Sequence, residues 1–581
     1  MRGREAIGYV VSVDGREVSL NLLDKHRGQS ASHSYGVSKV SEIGSLLAVI
    51  SGFDFLVLKV LSIHFAEPKE AHRQGVGTST HDVDPLRHLR GLVIGRIQNS
   101  SENGASYVSD SLATPPLGAE VFPIAEHELA LILGSSTNFM APVTLGRSLQ
   151  GNGLLRVGLQ DLISRHVAVL GSSGQGKSCF TAAILQQILR FPQSRIVIFD
   201  VNGEYENALS GGGREDGDIK VTRIGATGED GLRIPYFALG RQGLHRLLMP
   251  SEKTQRPALN FALEHINRTK AFHGRQGIGL VDDVEPTMFD DCRQEGARIA
   301  KERIRILEQG DAQRSQDWPP MHAIAALVAE SHSISFRQGQ YQRDAFLYGN
   351  ISPVVNLINR FTEDPMFRSI IDVEGGAGVG DELDWRTESS SLVTQIFGDG
   401  NETWKAHIID LRLVAHDLMP FVLGALLELY AYELFRRGQE RKIETLLVLE
   451  EAHHYLRSPT RAQDSPAESL AYERLAKEGR KFGLALWLST QRPSEISPTV
   501  LSQCNNWIAF RLTSERDLST VLSASEWVDR REVKRIAGLA RQRAIVFGGS
   551  IQMPTLVEAP VADPLPRSED AAFDSWNDPL A

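Results

Sequence analysis

The chain has 581 residues, room for about three to four domains of ordinary size. Its 62 basic and 72 acidic side chains give a formal net charge of −10, which excludes a uniformly basic nucleic-acid coat but leaves room for a local basic channel. Hydrophobic residues at 41% and charged residues at 23% argue for a folded chain, and three scattered cysteines (Cys179, Cys292, Cys504) exclude a disulfide framework or a cysteine zinc site and favour a cytoplasmic setting.

Residues 1–145 read as a β domain. IGYVVSVDGREVSLNL at 7–22 is two apolar runs around Asp14-Gly15, a hairpin signal, and SLLAVISGFDFLVLKVLSI at 45–63 repeats the pattern around Ser51-Gly52. RGLVIGRIQ (90–98) and AEVFPI (119–124) add short strands, and many short strands with glycine turns suggest a small barrel. Residues 66–85 read as a loop excursion.

The rhythm then changes. HVAVL (166–170), RIVIF (195–199), TLLVL (445–449), LALWL (484–488), NWIAF (506–510) and RAIVF (543–547) are short, nearly continuous apolar runs. Such runs suit strands buried on both faces of a parallel sheet, and helical patterns between them argue for an α/β domain. We expect this core at 146–245 and 395–552. Charged, helix-rich sequence at 246–394, such as EGARIAKERIRILEQ (295–309), reads as a helical insertion. From 553 to 581 the proline-rich, acidic sequence reads as an extended tail. The oily stretch at 419–435 carries Glu428 and Glu433, which are costly in lipid, so it reads as a core helix and no membrane partner is expected.

The first chemical signal is GSSGQGKS at 171–178, a full G-x-x-x-x-G-K-[ST] between a strand and an amphipathic helix. Gly171, Gly174 and Gly176 let the backbone curl so that N–H groups face phosphate oxygens, and the helix N-terminus adds partial positive charge. ATP with Mg²⁺ is the expected ligand, cradled by Gly171, Ser172, Ser173, Gly174, Gln175, Gly176, Lys177, Ser178 and Cys179. Lys177 can reach the β- and γ-phosphates, and the Ser178 hydroxyl can ligate Mg²⁺. In FDVNGEYE (199–206), Asp200 sits at the carboxyl end of a strand, where α/β sheets place ligands, so Asp200 and Glu204 could join the catalytic shell or line a subunit interface. Asp-x-Asn-Gly is equally a turn signal, and Arg165 is a phosphate contact or a surface cation.

TLLVLEEAHHYL (445–456) is a buried strand ending in two carboxylates. In P-loop ATPases the first, here Glu450, holds the Mg²⁺ shell and the second, here Glu451, polarises the attacking water. Aspartate is commoner at the first position, so Glu450 departs from the usual pattern. His453 and His454 lack a third ligand at metal spacing and suit a helix start or sensor. In RLAKEGRKFGLALWLSTQRP (474–493), a strand ends in Ser489, Thr490 and Gln491; Gln491 is the γ-phosphate sensor candidate. Arg480 is a candidate arginine finger for a neighbouring subunit's nucleotide, or a cation on a helix C-terminus.

GSSGQGKS, IVIFDVNGEYE, LVLEEAHHYL and EGRKFGLALWLSTQRPSEISPTVLSQCNNWIAFRL, in this order behind a β-rich N-terminal region, closely resemble the HerA ATPases of the HerA/FtsK group. The resemblance covers most of 1–245 and 400–555, with 1–145 similar to the family's HAS-barrel. It implies a RecA-like core, a homo-hexameric ring with ATP between subunits, and double-stranded DNA threaded through the pore. Lys177, Ser178, Glu450 and Glu451 then act in cis and Arg480 in trans. It also implies an effector partner: a NurA-type nuclease in DNA end processing, or a sirtuin-like NAD-consuming protein in anti-phage defence. The polar stretch SPTRAQDSPAES (458–469) departs from the family pattern.

Two functions of different class follow: a DNA-translocating motor, and an ATP-gated ring scaffold that licenses an effector. A secretion-type motor fits less well without a membrane anchor. A serine hydrolase fails because residues 171–175 do not make G-x-S-x-G. The acids at 281–291 (Asp282, Asp283, Glu285, Asp290, Asp291) lack a strand framework and read as a solvated loop rather than a nuclease site.

Overall fold

The structure is a computed structural model. It describes residues 5–23, 30–33, 36–39, 42–52, 54–65, 87–100, 104–109, 113–133, 140–149, 153–210, 217–266, 301, 305, 317–318, 320–377, 389–457, 471–526, 528 and 530–567. The excursion at 66–85, the acids at 281–291, Cys292, the polar stretch at 458–469 and the last residues of the chain lie outside them, as does most of 295–309. The chain forms two compact units: residues 1–188 with 504–562, and residues 189–503 with 563–581.

In the first unit, β1 (Gly8–Asp14), β2 (Glu17–Leu22), β3 (Leu46–Ser51), β4 (Asp54–Phe65), β5 (Arg87–Ser100), β6 (Gly104–Val108) and β7 (Glu120–Pro123) form one antiparallel sheet. Its order is β2-β1-β7-β3-β4-β5, and β2 pairs back to β5, so six strands close a barrel while β6 flanks β5. The hairpin at Asp14 turns through Gly15 and Arg16, with Asp14 paired to Glu17 and Gly15 at φ +59°. The interior is aliphatic: Val10, Leu20, Leu47, Leu58, Leu89 and Val121 are buried together. Each such side chain contributes about 1.5–3 kcal/mol, so closure rather than any polar contact holds the barrel.

The same unit carries a second sheet from β8 (Pro142–Ser148), β9 (Leu154–Gly158), β10 (His166–Leu170), β16 (Cys504–Ala509), β17 (Arg543–Gly548) and β18 (Thr555–Glu558), in the order β9-β8-β18-β17-β16-β10. Only β10 and β16 pair in parallel here, and β18 is a strand inside the range read as an extended tail. Buried Lys59 on β4 forms an ion pair with Glu532 on a helix at Arg530–Ile536.

The second unit is built on a parallel sheet of β11 (Ile196–Asp200), β12 (Ile219–Ile224), β13 (Ala406–Asp410), β14 (Thr445–Leu449) and β15 (Leu484–Thr490), ordered β15-β14-β11-β13-β12. Every residue of β11, β13 and β14 is buried, which is why these strands are apolar without alternation. The described parts of the stretch between β12 and β13 carry helices at Gln255–His265, His322–His332 and Ala345–Glu363, but the range read as a helical insertion also holds an antiparallel hairpin of Ile334–Arg337 with Gln340–Arg343 and short strand pairs. The oily stretch forms a helix at Met419–Arg437 with Glu428 and Glu433 half-buried. No helix among the described residues is long and apolar enough to cross a membrane.

A buried histidine interrupts the apolar run of β13. His407 on β13 has no exposed surface; its Nδ1–H donates to the Ile396 carbonyl at 2.8 Å and its Nε2 accepts from the Thr222 hydroxyl at 2.8 Å. A carbonyl only accepts, which fixes this tautomer. Burial, with help from Lys220, pulls the imidazole down from 6.5 to about 4, so it is neutral in the fold. Unfolding takes up a proton between these values, so the contribution is complete above pH 6.5 and is lost as the pH falls toward 4. This loss amounts to about 3 kcal/mol. Urea midpoints measured from pH 7 to pH 5 should fall, and His407→Asn, less stable at pH 7, should fall less.

Candidate nucleotide site

The phosphate loop leaves β10 and enters α1 (Lys177–Ile188). Its curl needs glycine: Gly174 stands at φ +69° and Gly176 at φ +108°. At Gly171 the reason is space, since a Cβ would lie 2.6 Å from the Phe510 Cβ. Two backbone contacts within the unit pin the loop: Ser172 N donates to the Arg511 carbonyl at 2.8 Å, and Gln542 N to the Gln175 carbonyl at 3.0 Å. Gln542 is itself left-handed at φ +62°. Lys177 is buried, and its Nζ donates across the loop to the Ser172 carbonyl at 3.3 Å. Ser178 and Cys179 are half-buried on the first turn of α1. The arrangement is a ring of backbone N–H groups at a helix start, a ready concavity for phosphate. Arg165 donates to the Asn505 side chain at 3.2 Å.

The second unit gathers the acids. The register of β11 and β14 pairs Phe199 with Leu449, so Asp200 and Glu450 leave neighbouring strand ends side by side. Asp200 is fully buried and accepts N–H groups of Gly203 (2.8 Å), Glu204 (3.1 Å) and Tyr205 (3.0 Å). The Asp-x-Asn-Gly turn and the strand-end acid are thus one feature. Burial still holds the Asp200 carboxyl above its ordinary value against those three donors. Glu450 is 1% exposed and lies far above the usual carboxylate range, first through burial and then through Asp200, Glu204 and Glu451. Tyr205 Oη donates to Glu450 Oε1 at 3.3 Å, and Tyr455 Oη donates to the Glu450 carbonyl at 2.8 Å.

Glu451 is buried with a left-handed backbone, φ +43° and ψ +45°. A glutamate in that region costs about 1–2 kcal/mol and persists only where its surroundings enforce it. The neighbouring strand β15 delivers Gln491, whose Nε2 donates to Glu451 Oε1 at 2.5 Å. His453 Nδ1 lies 3.2 Å from Glu451 Oε2 and 3.1 Å from Thr490 Oγ1.

Four residues singled out in the sequence, Asp200, Glu450, Glu451 and Gln491, therefore meet in one cluster. The hydroxyls of Tyr205 and Tyr455 and the His453–Thr490 contact are additions; these residues stood in noted motifs, but no spacing marked their roles. Arg480 is exposed on a 3-10 turn at Gly479–Phe482 that leads into β15. The His453 and His454 ring centres lie 4.1 Å apart with the rings tilted by 37°, and those of His416 and His454 lie 4.7 Å apart, tilted by 43°. Burial, then His453 and His416, hold His454 down at about 4. Among the described residues no group of three His, Cys, Asp or Glu is arranged to hold a metal ion. The crowded, mutually repelling carboxylates still suit Mg²⁺, which keeps several waters and needs only one or two protein oxygens beside phosphate.

Tyr455→Phe removes the donor to a buried carbonyl at the residue before the strained glutamate. It should lower stability by about 1–2 kcal/mol in urea unfolding, with no change in the burial of β14.

The family description "Helicase HerA, central domain" matches residues 143–317. A protein of Methanocaldococcus jannaschii named probable DNA double-strand break repair helicase HerA is 36% identical over 412 residues, covering 68% of this chain and 72% of that one. A probable helicase of the same organism is 31% identical over 527 residues, covering 85% and 87%. Among solved structures, VirB4 of Thermoanaerobacter pseudethanolicus aligns at a TM-score of 0.45 with 15% identity, covering 75% of this chain and 99% of that one. With more than 30% identity carried across most of both archaeal helicases, the chain belongs to the HerA helicase family.

Proposed function

We propose that the chain hydrolyses ATP as a homo-hexameric ring motor that translocates on double-stranded DNA. It works with a nuclease or other effector, in DNA end processing or anti-phage defence. The observation that carries the reading is the phosphate loop, with its left-handed glycines and the lysine held across it. Membership of a helicase family supports the DNA substrate, since relatives are named as DNA double-strand break repair helicases.

Each residue has a role in this reading. The loop from Gly171 to Cys179 binds the phosphates through its N–H groups. Lys177 exchanges the Ser172 carbonyl for phosphate oxygens. Ser178 and Glu450 hold the Mg²⁺ that accompanies ATP, and Asp200 completes the acid shell. When bound, Mg²⁺ neutralises phosphate charge during transfer. Glu451 accepts a proton from the attacking water, and Gln491, next to it, senses the γ-phosphate. Arg480, being exposed, is free to reach a neighbouring subunit's nucleotide. The effector is a NurA-type nuclease or a sirtuin-like NAD-consuming protein, and the motor works in the cytoplasm. Pore contacts to DNA are electrostatic, so the inner surface is basic while the exterior carries the net negative charge.

Purified protein should hydrolyse ATP faster with duplex DNA, and the DNA affinity should fall steeply with salt. Lys177→Ala should abolish nucleotide binding, whereas Glu451→Gln should bind ATP normally and turn over about 10²–10⁴-fold more slowly. Equal rates with and without DNA, together with salt-insensitive binding, would replace the motor by the ATP-gated scaffold.

A further inference from the structure

We infer that His453 is a positioning residue that fixes the Glu451 carboxylate for its proton transfer; this rests on the ATPase reading above. Glu451 leaves β14 on a left-handed backbone, and a single 3-10 turn at Ala452–His454 follows it. No regular helix fixes its rotamer, so its aim depends on what touches its two oxygens. Gln491 holds Oε1, and His453 Nδ1 stands 3.2 Å from Oε2.

The two contacts differ in kind. Gln491 is half-buried just beyond the end of β15, with its amide the only group joining it to the acid, and as a phosphate sensor it must let go. His453 is buried and held on several sides. Its Nδ1 is 3.1 Å from Thr490 Oγ1, its carbonyl accepts from Arg457 Nε at 2.9 Å, and its ring packs on His454. Thr490 Oγ1 in turn accepts the Arg492 N–H at 3.0 Å, which orients that hydroxyl. The hydrogen-bond partner of Nδ1 is Thr490 Oγ1, while Glu451 Oε2 stands 3.2 Å from the same nitrogen, so the ring meets the carboxylate as a polar neighbour anchored by Thr490. The imidazole is therefore the fixed polar wall that limits where Oε2 can move while Oε1 is freed. A general base works only within hydrogen-bond reach of its water, and misplacement by about 1 Å can cost 10²-fold in rate.

The alternative roles for this histidine fit less well. Metal ligation lacks a ligand set among the described residues, and the neighbouring histidines make tilted ring contacts with one another instead. Pure packing would make the ring a stability element with no bearing on turnover, and the test is designed to separate that case.

The test compares full-length wild type, Glu451→Gln, His453→Ala, His453→Asn and Thr490→Val. Steady-state hydrolysis, equilibrium binding of a fluorescent ATP analogue and urea unfolding are measured on each. Asparagine keeps an N–H near the Nδ1 position. His453→Ala should lower kcat on the order of 10–100-fold with KM and nucleotide affinity unchanged. His453→Asn should restore most of that loss, and Thr490→Val should lower kcat in the same direction while adding little to His453→Ala. If alanine does not fold, the asparagine and valine variants carry the comparison: Thr490→Val with wild-type kcat then overturns the inference. Wild-type kcat in a folded His453→Ala also overturns it, as does an asparagine variant as slow as alanine at equal stability. Loss of turnover in Glu451→Gln beside normal turnover in His453→Ala sinks the positioning role alone. Full turnover in Glu451→Gln sinks the catalytic reading and this inference with it.

Discussion

The second unit depends on the repulsion among carboxylates at the ends of β11 and β14. Asp200 and Glu450 are both almost wholly buried, with Glu451 and Glu204 close enough to raise the Glu450 carboxyl further. Burial first, and nearby charge of the same sign second, oppose ionisation, so both carboxyls are raised above their ordinary values. Asp200 has three backbone N–H donors for its charge and Glu450 has the Tyr205 hydroxyl, so burial and the neighbouring acids raise the Glu450 carboxyl the further of the two. Tyr205 lies under both groups, giving its backbone N–H to Asp200 and its hydroxyl to Glu450. The pair is thus a compact, buried site at which negative charge is held at a cost. A divalent cation is the compensation such a group of carboxylates invites.

This explains why a glutamate is tolerated where aspartate is commoner. The longer side chain reaches the Tyr205 hydroxyl, whose own backbone N–H is bound to Asp200, while the Glu450 backbone stays in line with β14. Meanwhile the Glu450 carbonyl is tied to Tyr455 Oη, and the next residue turns left-handed. The bend carries Glu451 out of the strand direction toward the end of β15, where Gln491 and Thr490 wait. Local strain at one residue is therefore what separates the two adjacent acids into different surroundings. One faces a neighbouring carboxylate, the other an amide and an imidazole, and adjacent residues in a regular strand would simply have pointed to opposite faces.

Much of this was legible because the governing physics is local. Continuous apolar runs announce strands buried on both faces, and HVAVL, RIVIF, TLLVL and LALWL are such strands. Glycines at left-handed positions announce the phosphate loop. What escaped notice depends on contacts made far along the chain. AHIID at 406–410 is a fully buried central strand, yet His407 breaks its apolar run, and only Thr222 and the Ile396 carbonyl make that histidine acceptable. Hairpins in the N-terminal region were visible from Asp14-Gly15 and Ser51-Gly52, but closure rests on β2 meeting β5 some seventy positions away, which no turn signals. His453 looked like a helix start because its partner Thr490 belongs to another strand.

The same reasoning bears on the phosphate loop in the first unit. Lys177 is buried with its ammonium directed to a carbonyl of its own loop, so binding a phosphate exchanges one oxygen partner for another rather than drawing a solvated lysine out of water. The desolvation has already been met by the fold, and the loop gains charge complementarity at little further cost. Gly171 shows how tightly that preorganisation is set, because the loop packs against Phe510 so closely that a methyl group has no room. The loop is pinned at Ser172 and Gln175 by backbone bonds to Arg511 and Gln542, residues just outside β16 and β17. Phosphate affinity in this unit is therefore a property of strands distant in sequence, and the G-x-x-x-x-G-K-S pattern records only the part of the site that one loop can encode.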